Sequence, residues 1–165
     1  MAAGATYVPI ATQTLGSAVA TVSFSSIPQT YTDLVLICIG FDTGGDANIP
    51  TQFNGDTATN YSGTYLLGNG SAASSGRIST ATSTQIGRIG TSSSNLGTTV
   101  AHFMNYSNTS TYKTIISRGG NTTGTVIAWA GLWRSTSAIT SMSFTAGFTS
   151  FGIGSTFTLY GIAAA

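Results

Sequence analysis

Polarity along this chain changes at every second residue, and that periodicity confines it to β-strands. In Ala18-Val19-Ala20-Thr21-Val22-Ser23-Phe24, residues Ala20, Val22 and Phe24 share one face while Thr21 and Ser23 share the other. Successive side chains of a strand point to opposite faces, so such a segment buries one side and wets the other. Leu34-Val35-Leu36-Ile37-Cys38-Ile39 is apolar on both faces and predicts a central strand within Tyr31 to Phe41.

Further strands are predicted around Gln52-Phe53, from Tyr61 through Tyr65 to Leu67, weakly near 77–82 and 85–89, and at Val100 to Tyr106. Others follow at Tyr112 to Arg118, Thr125 to Trp133, Met142 with Phe144, and Thr156 to Ile162. Turn signals separate them: Asn54-Gly55, Gly68-Asn69-Gly70, Ser107 to Ser110, Gly119 to Gly124, and Gly152-Ile153-Gly154. The three prolines, Pro9, Pro28 and Pro50, are expected at strand ends or turns. About eight to ten short strands without a long helix predict an all-β fold, an antiparallel β-sandwich of jelly-roll type. Residues 1–165 carry no visible linker or repeat and are expected to form a single domain.

Composition narrows the function classes. Charged residues are 5% of the chain, against about 25% in an ordinary domain. Glu is absent, and Ser and Thr together number 51. Five dispersed cations build no phosphate-neutralising stripe, so a nucleic-acid partner is not expected. The longest apolar run is too short to cross a bilayer, so no membrane partner is expected either. Met1 to Tyr7 lacks the charged and apolar regions of a targeting segment, which predicts a soluble product of a cytoplasm. So little charge offers little repulsion against association, so the chain is expected to be a homo-oligomer.

Few residues invite chemistry. Cys38 lies in the most apolar run with no His or cation beside it, and reads as a small buried hydrophobe. His102 is the sole histidine, expected on one strand face with Val100, Met104 and Tyr106, and no Gly-x-Ser-x-Gly elbow supplies a nucleophile. Asp33, Asp42, Asp46 and Asp56 read as turn carboxylates. Asp42 and Asp46 share a loop, but their spacing misses the calcium template, so no metal site is expected. Neither a catalytic residue nor a cofactor is predicted.

The cations Arg77, Arg88, Lys113, Arg118 and Arg134 all follow the acids in sequence. Pairing between the two sets, within or between subunits, is therefore expected. Trp129 and Trp133 point to the same side of a strand as Ile127, as core residues or as an aromatic platform. The residues marked for partner contact are Arg77, Arg88, Arg118, Arg134, Asp42, Asp46, Tyr61 and Tyr65.

Several segments together resemble a family. They are Ile10 to Ser17, Val22 to Pro28, Tyr31 to Leu34, and Phe53-Asn54-Gly55-Asp56 with Asn60-Tyr61. Met104 to Asn108, Tyr112-Lys113-Thr114, Gly131 to Thr136 and Gly154 to Ile162 continue the match. The chain resembles structural proteins of tailed bacteriophages, common in phages of cyanobacteria and other marine bacteria. The resemblance implies a β-sandwich virion component, often multimeric, with a trimer one candidate arrangement, made in the host bacterial cytoplasm. It is weakest over 68–99.

Members occur alone or as modules of longer fibres. No shaft, collagen-like or heptad segment accompanies the module here, which favours a capsid decoration or cement protein whose partner is the major capsid protein. The alternative is a tail- or head-fibre module recognising a host glycan, with Tyr61, Tyr65, Tyr106, Tyr112 and the two tryptophans as stacking faces. A glycan-cleaving enzyme is the least favoured reading, given four acids and one histidine.

Overall fold

The computed structural model describes residues 6–163, so the remainder of the Met1–Tyr7 segment read for targeting lies outside it. Twelve strands are present: β1 (Tyr7–Thr14), β2 (Thr21–Phe24), β3 (Asp33–Gly40), β4 (Asn48–Phe53), β5 (Tyr61–Gly68) and β6 (Ala73–Ala81). The second half adds β7 (Thr84–Arg88), β8 (Gly97–Met104), β9 (Lys113–Asn121), β10 (Val126–Trp133), β11 (Met142–Thr145) and β12 (Thr156–Ile162). They form two antiparallel sheets of unequal size. The large one has the order β1-β12-β3-β8-β9-β10-β5-β6, the small one β2-β11-β4-β7.

The chain winds between the sheets as a jelly roll does. Strands β2, β4, β7 and β11 lie in the small sheet, while β3, β5, β6 and β10 lie in the large one. The β8–β9 hairpin is inserted between β3 and β10, and the β1–β12 pair extends the far edge. The expected antiparallel sandwich is therefore present, with more strands than the eight to ten expected.

Alternation explains what fills the space between sheets. In β3, Leu34, Leu36 and Cys38 point inward and are fully buried. Phe103 of β8, Ile115 of β9 and Phe157 of β12 extend that layer, and Phe53, Phe144 and Met142 meet it from the small sheet. Phe53 is its aromatic centre, 5.4 Å from Trp133 and 5.8 Å from Phe103, ring centre to ring centre. Burying side chains of this size contributes about 1.5–3 kcal/mol each. Cys38 is buried as expected, and its apolar surroundings push the thiol pKa up.

Local details depart from the sequence reading. Pro9 and Pro50 lie inside strands, not at their ends, and each adjoins an irregularity of register, Pro9/Ala11 in β1 and Asn48/Pro50 in β4. A proline cannot donate to the ladder, and a bulge tolerates that loss. Asn54 and Gly55 both have positive φ, 53° and 68°, as a two-residue reversal requires. The strands on either side belong to different sheets, however, so the turn joins layers instead of closing a hairpin. Asn105 also has positive φ (51°), which ends the alternation of β8. Tyr106 consequently enters the core, its hydroxyl donating to the Pro28 carbonyl, and does not share the His102 face.

Candidate functional site

A two-layer sandwich covers each sheet on one face only. The outer face of the large sheet would ordinarily be polar. Here it is not. β3 sends Val35, Ile37 and Ile39 outward, β8 sends Val100, His102 and Met104, β9 sends Ile116 and Arg118, and β10 sends Val126, Ala128 and Ala130. Cross-strand register sets Ile37 beside Val100, Val100 beside Arg118, Arg118 beside Ala128, and Ala128 beside Leu66.

The exposure is real. Leu66 is 64% and Val126 61% accessible, and Ile39, Met104 and Ile116 are each exposed by about two-fifths (41%, 42% and 42%). Eight strands about 4.8 Å apart, each seven to nine residues long, make a face of roughly 38 by 26 Å, shared between these apolar side chains and hydroxyls.

The face is shallowly concave. A groove of about 950 Å³ crosses β8, β9, β10 and β5 and is lined by Val100, Arg118, Gly120, Val126, Ala128 and Leu66. Its floor is low where glycine and alanine replace larger side chains. Gly120 stands opposite Val126 on one side and Thr98 on the other. Arg118 is the cation beside this groove. Arg77, opposite Thr64, is on the same face at the β6 edge.

The other residues marked for contact have different positions. Arg88 pairs with Asp46 at 2.7 Å, the one ion pair among the described residues, and its Nε donates to Asn48 at 3.0 Å. The expected Asp–Arg pairing is thus realised within the chain. Arg134 donates to the Ser62 hydroxyl and to the carbonyls of Thr59 and Tyr61, tying the β5 entry to the β10 exit. Tyr61 is fully buried, and its hydroxyl accepts from the Phe53 N–H and donates to the Asp56 carbonyl. Burial pushes its pKa up to about 12, opposed by its hydrogen bond at Phe53 and aided to a smaller extent by the Asp56 charge. Tyr65 is half-buried, stacked on Trp129 at 5.3 Å.

Asp42 is completely buried and is no surface group. Its carboxylate accepts backbone N–H bonds from Gly44 (2.8 Å), Phe148 (2.9 Å) and Thr149 (3.1 Å). It thereby ties its own loop to the one after β11, where Phe148 is presented to solvent, 67% exposed. Asp56 is likewise a hub, accepting from the Trp133 indole at 2.7 Å, the Asn60 amide at 2.9 Å and the Ala58 N–H at 2.9 Å. The Asn60 and Trp133 bonds hold its carboxyl below the usual range. Asp33 accepts from the Asn105 N–H. Lys113 is buried with its ammonium on the carbonyls of Thr111 and Thr136, and burial lowers its pKa.

Residue chemistry follows from these placements. His102 stands between Val35 and Ile116 on the outer face. Among the described residues no three His, Cys, Asp or Glu side chains gather as metal ligands would. Trp129, Trp133, Tyr61 and Tyr106 are buried, so four of the six rings considered as sugar platforms have no open face; Tyr112 remains exposed. The sequence reading missed Leu66, Val126, Ile116, Ala128 and Phe148. Its one signal for the face was the two-sided apolar run at Leu34–Ile39, whose outer half belongs to it.

No family model matches this chain, and no curated protein does. A protein of unknown function from Shewanella oneidensis MR-1, known from its crystal structure, aligns with 98% of this chain and 77% of its own at 10% identity. The TM-score of that alignment, 0.27, is too low to carry an argument.

Proposed function

We propose that this chain is a structural protein of a tailed-phage virion, a capsid decoration protein that binds the assembled shell at many equivalent positions. The observation that carries the proposal is the strip of exposed large apolar side chains across the outer face of the large sheet, Ile39, Met104, Ile116, Val126 and Leu66, set among hydroxyls. Clustered apolar side chains on an open face rimmed by polar residues mark a surface that meets another protein. Contacts repeated over a lattice need little strength individually, because multivalency raises the total. A ligand that binds only the assembled state stabilises that state by linkage.

Ionisable groups support the reading. All four aspartates accept hydrogen bonds that organise loops, and Arg88, Arg134 and Lys113 are engaged in the same way. A fibre module reading glycans through stacked rings fits less well, since the tryptophans lie inside.

Virion proteomics tests this directly. Hundreds of copies per particle are expected, together with heat-sensitive particles when the chain is missing. A copy number equal to a small multiple of the tail symmetry, or equal heat resistance without the chain, refutes the decoration role.

A further inference from the structure

We infer that the groove around Arg118 receives a segment of another protein in which a carboxylate is flanked by apolar residues. The inference deepens the decoration reading and rests on the outer face being a protein interface. Charge complementarity chooses the occupant. Arg118 stands exposed in the row between Val100 and Ala128, and Arg77 is the other arginine exposed on this face. Closing apolar surface over an unpaired guanidinium is costly unless a partner supplies an anion or acceptor. A guanidinium fork matches a carboxylate best.

A second copy of the chain offers few carboxylates, since all four aspartates already accept hydrogen bonds and of them only Asp33 lies on this face, at the start of β3. Asp42 is buried on three backbone N–H groups, and Asp46 is paired with Arg88. Asp56 holds Trp133, Asn60 and Ala58, Asp33 holds the Asn105 N–H, and the sequence contains no Glu. Face-to-face pairing of two copies would also bring their arginines together. A different protein is therefore the better source of the acid, and the surrounding floor of Gly120 and Ala128 leaves room for its apolar neighbours.

The test is an ¹⁵N NMR titration of the full chain with the blocked peptide acetyl-Ser-Ile-Asp-Val-Ser-amide and analogues carrying Asn or Lys in place of Asp. The Asp peptide should shift the backbone signals of Val100, Arg118, Val126 and Ala128 saturably. Its half-saturation concentration should be about fivefold below that of the Asn analogue, the size of a partly screened charge pair, and the Lys analogue should leave them in place. Arg118→Gln should remove the preference for Asp over Asn, and Ala128→Glu should abolish binding of the Asp peptide.

Equal response to the three peptides, shifts elsewhere on the protein, or no shift up to about 5 mM peptide overturns the inference. So does self-association of the chain alone that Ala128→Glu abolishes, because a second copy would then be the occupant. Absence of the chain from purified virions, with the peptide response intact, refutes the decoration reading and leaves the groove's specificity standing.

Discussion

Removing the Asp42 carboxylate should loosen one end of the sandwich by an amount its surroundings fix. Three backbone N–H groups from two loops point at two oxygens inside the protein, at 2.8, 2.9 and 3.1 Å. Hydrogen bonds to a charged acceptor are worth about 1.5–3 kcal/mol each, so the gross loss in Asp42→Ala is about 4.5–9 kcal/mol. Against this stands the cost of keeping a carboxylate out of water, several kcal/mol, which the variant recovers. A net destabilisation of about 2–4 kcal/mol remains, or about 4–16 °C in Tm for a domain of this size.

Asp42→Asn keeps one acceptor and turns an amide donor toward another donor, so about half that loss is expected. Urea unfolding followed by fluorescence of the buried Trp129 and Trp133 gives the free energies. Amide exchange at Phe148 and Thr149 should accelerate in both variants. A loss below about 0.5 kcal/mol in Asp42→Ala, with exchange at Phe148 unchanged, would refute the claim that this carboxylate holds the tip.

Other outcomes follow from single sites. The folded pKa of Asp56 is depressed, so its contribution is fully present above the unfolded carboxylate value of about 3.9 and is lost as pH falls through the lower folded value. Asp56→Asn should therefore be less stable than wild type at pH 7 by about 1 kcal/mol, with the gap closing in urea titrations below pH 4. The Cys38 thiol should resist a water-soluble thiol reagent in the native protein and react fully in denaturant, because burial removes both access and thiolate. Gly90→Ala should cost more than about 2 kcal/mol by thermal denaturation, since its Cβ would sit 1.7 Å from the Asn95 carbonyl oxygen.

Period-two alternation made the strands of the core legible, because burial acts on single side chains and leaves its mark at each position. β3, β8, β9, β10 and β12 were readable for that reason. β1 was not, because Pro9 and the shift of register after it interrupt the alternation at a sheet edge. β6 was only half visible, since Ala73-Ser74-Ser75-Gly76 carries no apolar period and is largely exposed. Which sheet each strand joins was not readable at all. Asn54-Gly55 specifies a reversal of direction, while the packing of β4 against β11 and β7 decides that the chain changes layer there.

The candidate site shows the same division. Asp42 and Asp46 look alike in sequence, four residues apart in one loop. Only the loop after β11, over a hundred residues away, distinguishes them by supplying the donors that enclose Asp42. The outer face was hidden differently. An apolar run such as Leu34–Ile39 means burial on both sides when read alone, and the missing cover becomes evident only once the small sheet is seen to span one side.

The insertion of β8 and β9 between β3 and β10 separates two demands on the molecule. Strands that cross from layer to layer establish the winding, whereas the spliced hairpin pairs mainly with its own neighbours and adds about 10 Å to the sheet's breadth. Breadth can therefore change with the length and side chains of one local segment while the crossings stay as they are. Such a scaffold can be re-dimensioned without being redesigned.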